Sequence, residues 1–501
     1  MQGLYPSLHD QLNQVFNSLS LFMPEVYLSA LFVLVLVTDL LFGKRSGWLC
    51  RTIAVAGLVV VLFKDLEQAP MLDNAVLFFN NMLILHKPGL KFKILIDMVS
   101  ILMLLYFEWD ADLRSHSKKL SDLYTITIAA ILGLHLMSMA ANLLSIYLSV
   151  EMVSIASYLM VVYRTERKWS SEAGLKYVLF GAACSAIMLF GISLLYGLTG
   201  SLDLYTGALT SGLAHANTLT TALALILFLV GIGFKLSFVP LHFWVPDVYE
   251  GAPTPISAFL STVPKIAAFA LLVNFLSPFI DPSVQWKAFD FQLLLAVIGI
   301  VTMIAGNFAA TLQNNVKRML AYSSIGHTGF AIMALVNFNL DGQGISALRF
   351  YLLAYAFAST AAWMLASYFE DVAAAEDIEG YKGLGYKYPF ASICFIVVLI
   401  SLTGIPLTAG FNGKLLAFSA VYGVYKDGHQ LPLLLLMVTG AITTVVSLFY
   451  YIKIPRNLFL YKTERTGGFA AANRVLLVTI AIIALIVVYF GLFPGFAYKY
   501  L

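Results

Sequence analysis

Residues 389–425 read PFASICFIVVLISLTGIPLTAGFNGKLLAFSAVYGVY, an apolar run broken by one charged side chain, Lys414. As a single α-helix at ~1.5 Å per residue the run would extend about 55 Å, against a bilayer hydrocarbon core of ~30 Å. It must break, and Gly404 with Pro406 marks where. A second over-long run, 219–248, is interrupted by Pro240, five residues after Lys235. Broken helices expose unpaired backbone groups, which the bilayer tolerates only where they face protein or a watery cavity. Both interruptions carry a lysine nearby.

Working outward, the composition fits a membrane interior. Hydrophobic residues make up 60% of the chain and charged ones 11%, with a mean hydropathy of +0.86; a soluble domain is about 25% charged. The chain is a polytopic membrane protein. A formal charge of +3, spread over loops, gives no footprint for nucleic acid or an acidic partner. Cys50, Cys184 and Cys394 lie far apart, without the spacing of a zinc site, an iron–sulfur cluster or a disulfide framework. Any electrons involved would travel in another subunit. No basic leader with a small-residue cleavage site precedes the first apolar run, which reads as a retained span.

Apolar runs predict fourteen spans, at about 21–43, 48–63, 92–107, 121–141, 143–163, 173–198, 219–248, 253–279, 291–312, 318–338, 345–369, 389–425, 431–460 and 473–496. Two broken helices at corresponding points of two halves suggest an inverted repeat. The division expected is 1–120 for helices 1–3, 121–290 for a first five-helix repeat, 291–462 for a second, and 463–501 for the last helix. With both termini outside, inner loops carry 18 of the 30 Lys and Arg, outer segments 7, and five lie deep within spans. That bias follows the positive-inside rule. The exception is Lys64 to Lys93, read as a long outer segment.

Four lysines, Lys176, Lys235, Lys265 and Lys414, and one glutamate, Glu151, lie inside these spans. At roughly 2.5 to 3.5 kcal/mol each, four uncompensated lysines would cost on the order of 10 to 14 kcal/mol. They need partners or water, and a row of solvated titratable groups is what proton conduction uses. Glu151 and Lys176 fall in consecutive spans joined by the short basic loop Arg164 to Lys168, so they read as a carboxylate–lysine pair. The plainer reading is a static ion pair, with Lys176 snorkelling to the surface. Lys235 and Lys265 have ten or more mostly apolar residues on either side and resist that reading. His242, beyond the Pro240 break, and His327, beside Tyr322, Ser323 and Ser324, are candidate bridges, since imidazole accepts and donates protons near neutral pH; packing is the plainer role for each. His135 reads as a packing residue, and Asp39 and Asp97 as span-end residues within reach of water. Pro240, Pro246, Pro253, Pro255 and Pro264 mark a re-entrant stretch that would form a pore wall. No nucleotide loop, dinucleotide fingerprint or hydrolase elbow appears in a plausible context.

Four motifs then carry a resemblance. Residues 234–255 (FKLSFVPLHFWVPDVYEGAPTP), continuing to Pro264 and Lys265, 172–177 (EAGLKY), 321–330 (AYSSIGHTGF) and 404–414 (GIPLTAGFNGK) strongly resemble the antiporter-like subunits of respiratory complex I, the proton-translocating NADH-quinone oxidoreductase. The likeness covers essentially the whole chain. Its length argues against the L branch, which carries a long lateral helix, and Lys414 against the M branch, which has a glutamate there; the N branch remains. The resemblance implies an all-α polytopic fold of fourteen helices with two inverted five-helix repeats and two broken helices. It implies a coupling pair Glu151–Lys176, central and connecting lysines Lys235 and Lys265, a second half-channel residue Lys414, and bridges His242 and His327. It also implies no cofactor in this chain: no NADH, flavin, cluster or metal. Its partners would be other membrane-arm subunits, including a second antiporter-like subunit and small membrane subunits, and the lipid bilayer. The host would be a bacterial inner membrane rather than an organellar one. The chain departs from the pattern at Leu407, where many relatives have a second proline. The competing expectations are a subunit of a multi-subunit sodium/proton exchanger and a purely structural member of the arm.

Overall fold

The computed structural model describes residues 13, 15, 16, 18–42, 47–72, 74–116, 120–280, 289–338, 342–461 and 473–496. The expected boundary at 462/463 lies outside them. Helix dominates. The long elements are α1 Met23–Phe42, α2 Gly47–Gln68, α3 Lys87–Trp109, α4 Ser121–Met139, α5 Leu143–Val161 and α6 Lys168–Thr199. The first interrupted helix supplies α7 Thr218–Leu236 and α8 Trp244–Gly251, followed by α9 Thr254–Leu276, α10 Phe291–Thr311, α11 Val316–Leu335 and α12 Gln343–Ala373. The second supplies α13 Pro389–Thr403 and α14 Ala409–Gly428, followed by α15 Leu431–Tyr451, α16 Lys453–Leu460 and α17 Arg474–Leu492. Among the described residues ten helices are long and apolar enough to cross a membrane. Others of similar length are α2 and α3, which carry more charge, and α11, which carries Ser323, Ser324, His327 and Thr328 along with Lys317 and Arg318.

The helices face lipid outward and polarity inward. α1, α6, α10, α15 and α17 expose rows of large apolar side chains, such as Leu40, Leu179, Val301, Val445 and Leu485, while α9 is buried along its whole length and α12 along nearly all of it. α12 packs against α3, α9, α11, α13, α14 and α17 and so ties both ends of the chain to its centre. α10 and α11 approach closely, and a Cβ on Gly306 would overlap the Gly326 backbone nitrogen. Absence of side chains there lets backbones touch, as at other small-residue contacts in membranes.

Three expectations need correction. α3 begins at Lys87, five residues before the apolar run at 92, so Lys93 lies inside a helix and is fully buried rather than in an outer loop. Asp97, also on α3, is fully buried rather than water-accessible. The fold is not purely helical. Val76–Phe78 and Leu83–Leu85 form an antiparallel hairpin, with Val76 opposite Leu85, through a turn in which Phe79, Asn80 and Asn81 all adopt positive φ. Asparagine tolerates that region well, and Asn80-Asn81 is the signal for the turn.

Candidate functional site: a buried line of lysines

Each interruption brings a lysine to the carbonyl end of a half-helix. α7 is capped by Asn217, whose side-chain oxygen accepts from Leu219 N–H, and stops at Leu236 because Ser237 turns left-handed at φ 57°. Lys235 sits in that last turn, buried, where the negative end of the helix dipole favours a cation. Its Nζ has no hydrogen-bond partner among the described residues and stands 5.5 Å from the Phe234 ring centroid. α13 stops at Gly404, φ 84°. Lys414 reaches back from α14 and donates to the freed Thr403 carbonyl at 2.8 Å, with its ammonium 4.4 Å from the Phe330 ring centroid. A Cβ at Gly404 would lie 2.8 Å from Lys414 Cδ. Between the half-helices Leu407 takes φ 73°, a conformation closed to proline, so the departure from the family pattern alters this turn.

Lys265 on α9 is held by α11. Its Nζ donates to Ser324 Oγ at 2.6 Å, Thr328 Oγ1 at 2.9 Å and the Ser324 carbonyl at 3.0 Å. Thr328 Oγ1 donates in turn to the Leu236 carbonyl at 3.0 Å, next to Lys235. On the other side the Tyr355 hydroxyl lies 2.9 Å from Ser324 Oγ, and its ring lies 4.9 Å from that of His327. His327 Nδ1 pairs with Tyr351 OH at 2.7 Å and Nε2 with Tyr451 OH at 3.3 Å; Tyr451 also meets Ser323 Oγ. His327, Tyr351, Tyr355 and Lys414 line a cavity of about 10 Å³, the room of roughly one water. The fields of both Lys265 and Lys414 act on His327. Between the Lys265 ammonium, which donates, and His327, the Ser324 and Tyr355 hydroxyls each can donate and accept, the property a proton relay requires, while Tyr355 meets His327 by ring contact.

The expected pair Glu151–Lys176 is not formed. Lys176 pairs instead with Asp247 at 2.8 Å and Glu172 at 3.0 Å, its side chain 46% exposed. Asp247 also takes Arg318 at 2.8 Å. These groups, with Arg164, Lys317 and Glu370, line a charged vestibule of about 460 Å³. Spacing along α5 and α6 sets similar depths for Glu151 and Lys176 but not which way each points, and an ammonium is less costly to hold in an open charged vestibule than in apolar packing. Among the described residues the Glu151 Oε1 atom is buried without a hydrogen-bond partner, and the glutamate's charge acts on Lys235. His242 lies in the α7–α8 break beside Phe243, with ring centroids 4.4 Å apart; none of its described polar contacts reaches a lysine.

Sequence reading passed over Tyr351, Tyr355 and Tyr451. Tyrosines are abundant here, and nothing in the pattern separates an interior hydroxyl from interfacial bulk. Asp247 lay within a quoted motif, but as a helix-start acid near a proline it gave no sign of its lysine partner.

Fold and site together define a multi-span membrane protein of antiporter-like architecture, with lysines at the broken ends of two helices. The profile of the family described as NADH:quinone oxidoreductase/Mrp antiporter, TM, matches residues 140–446. The chain is 38% identical over 484 residues to NADH-quinone oxidoreductase subunit N 2 of Chloroherpeton thalassium, covering 95% of this chain and 92% of that one. It is 35% identical over 483 residues to subunit N of Chlorobium chlorochromatii, with 95% and 92% covered. In structure it is similar to a chain of respiratory complex I from Thermus thermophilus with bound aureothin, at TM-score 0.77, 28% identity and coverage of 95% and 98%. A chain of the Mrp complex from Dietzia sp. shares the fold at TM-score 0.78 and 18% identity, with 95% of each chain covered. The chain belongs to the family of NADH-quinone oxidoreductase subunit N.

Proposed function

We propose that this chain is a proton-translocating membrane-arm subunit of an NADH-quinone oxidoreductase, driven by quinone reduction in other subunits. The observation that carries this is the polar line from Lys265 through Ser324 and Tyr355 to His327, whose cavity Lys414 shares. The charge of Glu151 acts on Lys235. A carboxylate close to a lysine favours its ammonium form, so a change in their separation alters how firmly Lys235 holds its proton. The proton released passes to Lys265, then by hydroxyls and His327 to Lys414. Moving one elementary charge across the membrane costs ~2.3 kcal/mol per 100 mV, and the chain itself offers no redox chemistry to supply it.

The same reading has fourteen spans, counting α2, α3, α11 and the α13–α14 pair with the ten apolar helices. It has inverted repeats at 121–290 and 291–462 between N-terminal helices 1–3 and a last helix, and both termini outside a bacterial inner membrane. It has no NADH, flavin, cluster or metal in this chain, and neighbours that are other membrane-arm subunits, including a second antiporter-like one and small membrane subunits. A sodium/proton exchanger would share the fold. Purification of the chain from its native membrane separates the two: recovery with quinone-reducing subunits supports this reading, and recovery only with other antiporter subunits overturns it.

A further inference from the structure

Five ionisable side chains that belong to no part of the lysine line meet within the N-terminal helices: Glu25 on α1, Asp65 on α2, Lys93 and Asp97 on α3, and His135 on α4. All five side chains are fully buried. Lys93 Nζ stands 2.7 Å from both Glu25 Oε1 and Asp65 Oδ1, close enough for ion pairing but at angles that make neither contact a hydrogen bond. His135 is clasped between two carboxylates, Nδ1 to Glu25 Oε1 at 3.0 Å and Nε2 to Asp97 Oδ1 at 2.9 Å.

Donor counting fixes the protons. A neutral imidazole has one N–H, so filling both of these contacts takes either an imidazolium or a protonated carboxyl. Even with His135 and Lys93 both cationic, three carboxylates leave the group one negative charge in excess. Asp65 and Asp97 offer oxygens that, with a His135 nitrogen, all lie within 4.8 Å of one another. Two carboxylates that close cannot both ionise cheaply in a low-dielectric interior. Among the described residues Glu25 Oε2, both Asp65 oxygens and Asp97 Oδ2 are buried with no hydrogen-bond partner, and of these carboxylates Asp65 and Asp97 are the two that crowd together at His135.

The group also lies under a cover. Glu25 is near the start of α1, Asp65 near the end of α2, Lys93 early in α3 and His135 near the end of α4, which places it toward one end of the bundle. That end carries an apolar cluster of Leu72, Phe78, Leu83, Leu85, Leu90 and Met139, with Phe22 packed edge-on to Phe79.

We propose that Asp65 and Asp97 share one exchangeable proton, which makes this group a second proton-binding site beneath the hairpin of Val76–Phe78 and Leu83–Leu85. The proton neutralises the excess charge and gives unpartnered oxygens of Asp65 and Asp97 a donor, and the hairpin cover limits its exchange with water on that side.

The test is infrared spectroscopy of the intact purified complex at neutral pH without sodium, comparing wild type with Asp97→Asn and Asp65→Asn in light and heavy water. The wild type is expected to show a buried carboxylic-acid carbonyl band that moves down on deuteration and is lost in either variant. Asp97→Glu, which keeps the carboxyl, should shift the band rather than remove it, and decides the matter if an asparagine variant fails to assemble. A wild-type spectrum that matches both the Asn and Glu variants in this region overturns the proposal. So does a band that sodium abolishes, because a cation would then occupy the place of the proton. The readout does not depend on pumping.

Discussion

Lys265 illustrates how a charge is made tolerable inside a bilayer. Three donor contacts, to Ser324 Oγ, Thr328 Oγ1 and the Ser324 carbonyl, satisfy all three of its N–H groups. Lys265→Ala removes the only cationic link between Lys235 and His327 in the described line, and proton pumping should fall by on the order of a hundredfold, a usual effect of deleting a proton-transfer group. Measurement in vesicles holding the assembled complex checks this. Tyr355→Phe deletes one hydroxyl and leaves the ring on His327. Its expected effect is smaller, about tenfold, with assembly unchanged; an unchanged pumping rate would exclude Tyr355 from the relay. At Asp247 the exposed pairs with Lys176 and Arg318 contribute little to stability, about 0 to 1 kcal/mol each. Asp247→Asn should therefore leave thermal stability within a few degrees of wild type, read by the unfolding midpoint of the purified complex.

At the level of elements, two glycines do work no other residue can. Gly404 ends α13 at φ 84°, and a side chain there would meet Lys414. Gly404→Ala incurs roughly 1 to 2 kcal/mol of backbone strain and displaces the lysine, so pumping should fall while the complex still assembles. Gly306→Ala forces α10 away from α11, because its Cβ would overlap backbone that cannot yield. Loss of assembled complex, read by native electrophoresis, is the expected outcome. The breaks near these elements were legible in sequence because a run longer than the bilayer must bend, and Gly404, Pro406 and Pro240 said where. The start of α3 was not. Lys87, Lys91 and Lys93 lower the local hydropathy, so the apolar run reads as beginning after them although the helix begins at Lys87. Pairing was equally hidden. Position along a helix gives depth, but the direction in which a side chain leaves the axis depends on tertiary packing, so Glu151 and Lys176 looked like partners while Lys176 turns to Asp247.

Across the whole molecule, buried ionisable side chains gather along one line and in one cluster, while others, such as His86, Asp110 and Arg349, are buried apart from both. Lys265, Lys414 and His327 stood out in sequence because charge and imidazole are conspicuous inside long apolar runs. Glu25, Asp65 and Lys93 did not, since each lies near a predicted span end, where charge is ordinary. What distinguishes them is the three-dimensional meeting of four helices. On the function proposed above, the buried lysines carry protons in a step tied to electron flow. Replacing Lys235 by Ala, confirming assembly, and recording proton pumping together with NADH-driven quinone reduction in the same vesicles tests it directly. Both are expected to fall together; wild-type pumping at wild-type electron flow would make the lysine line scaffold.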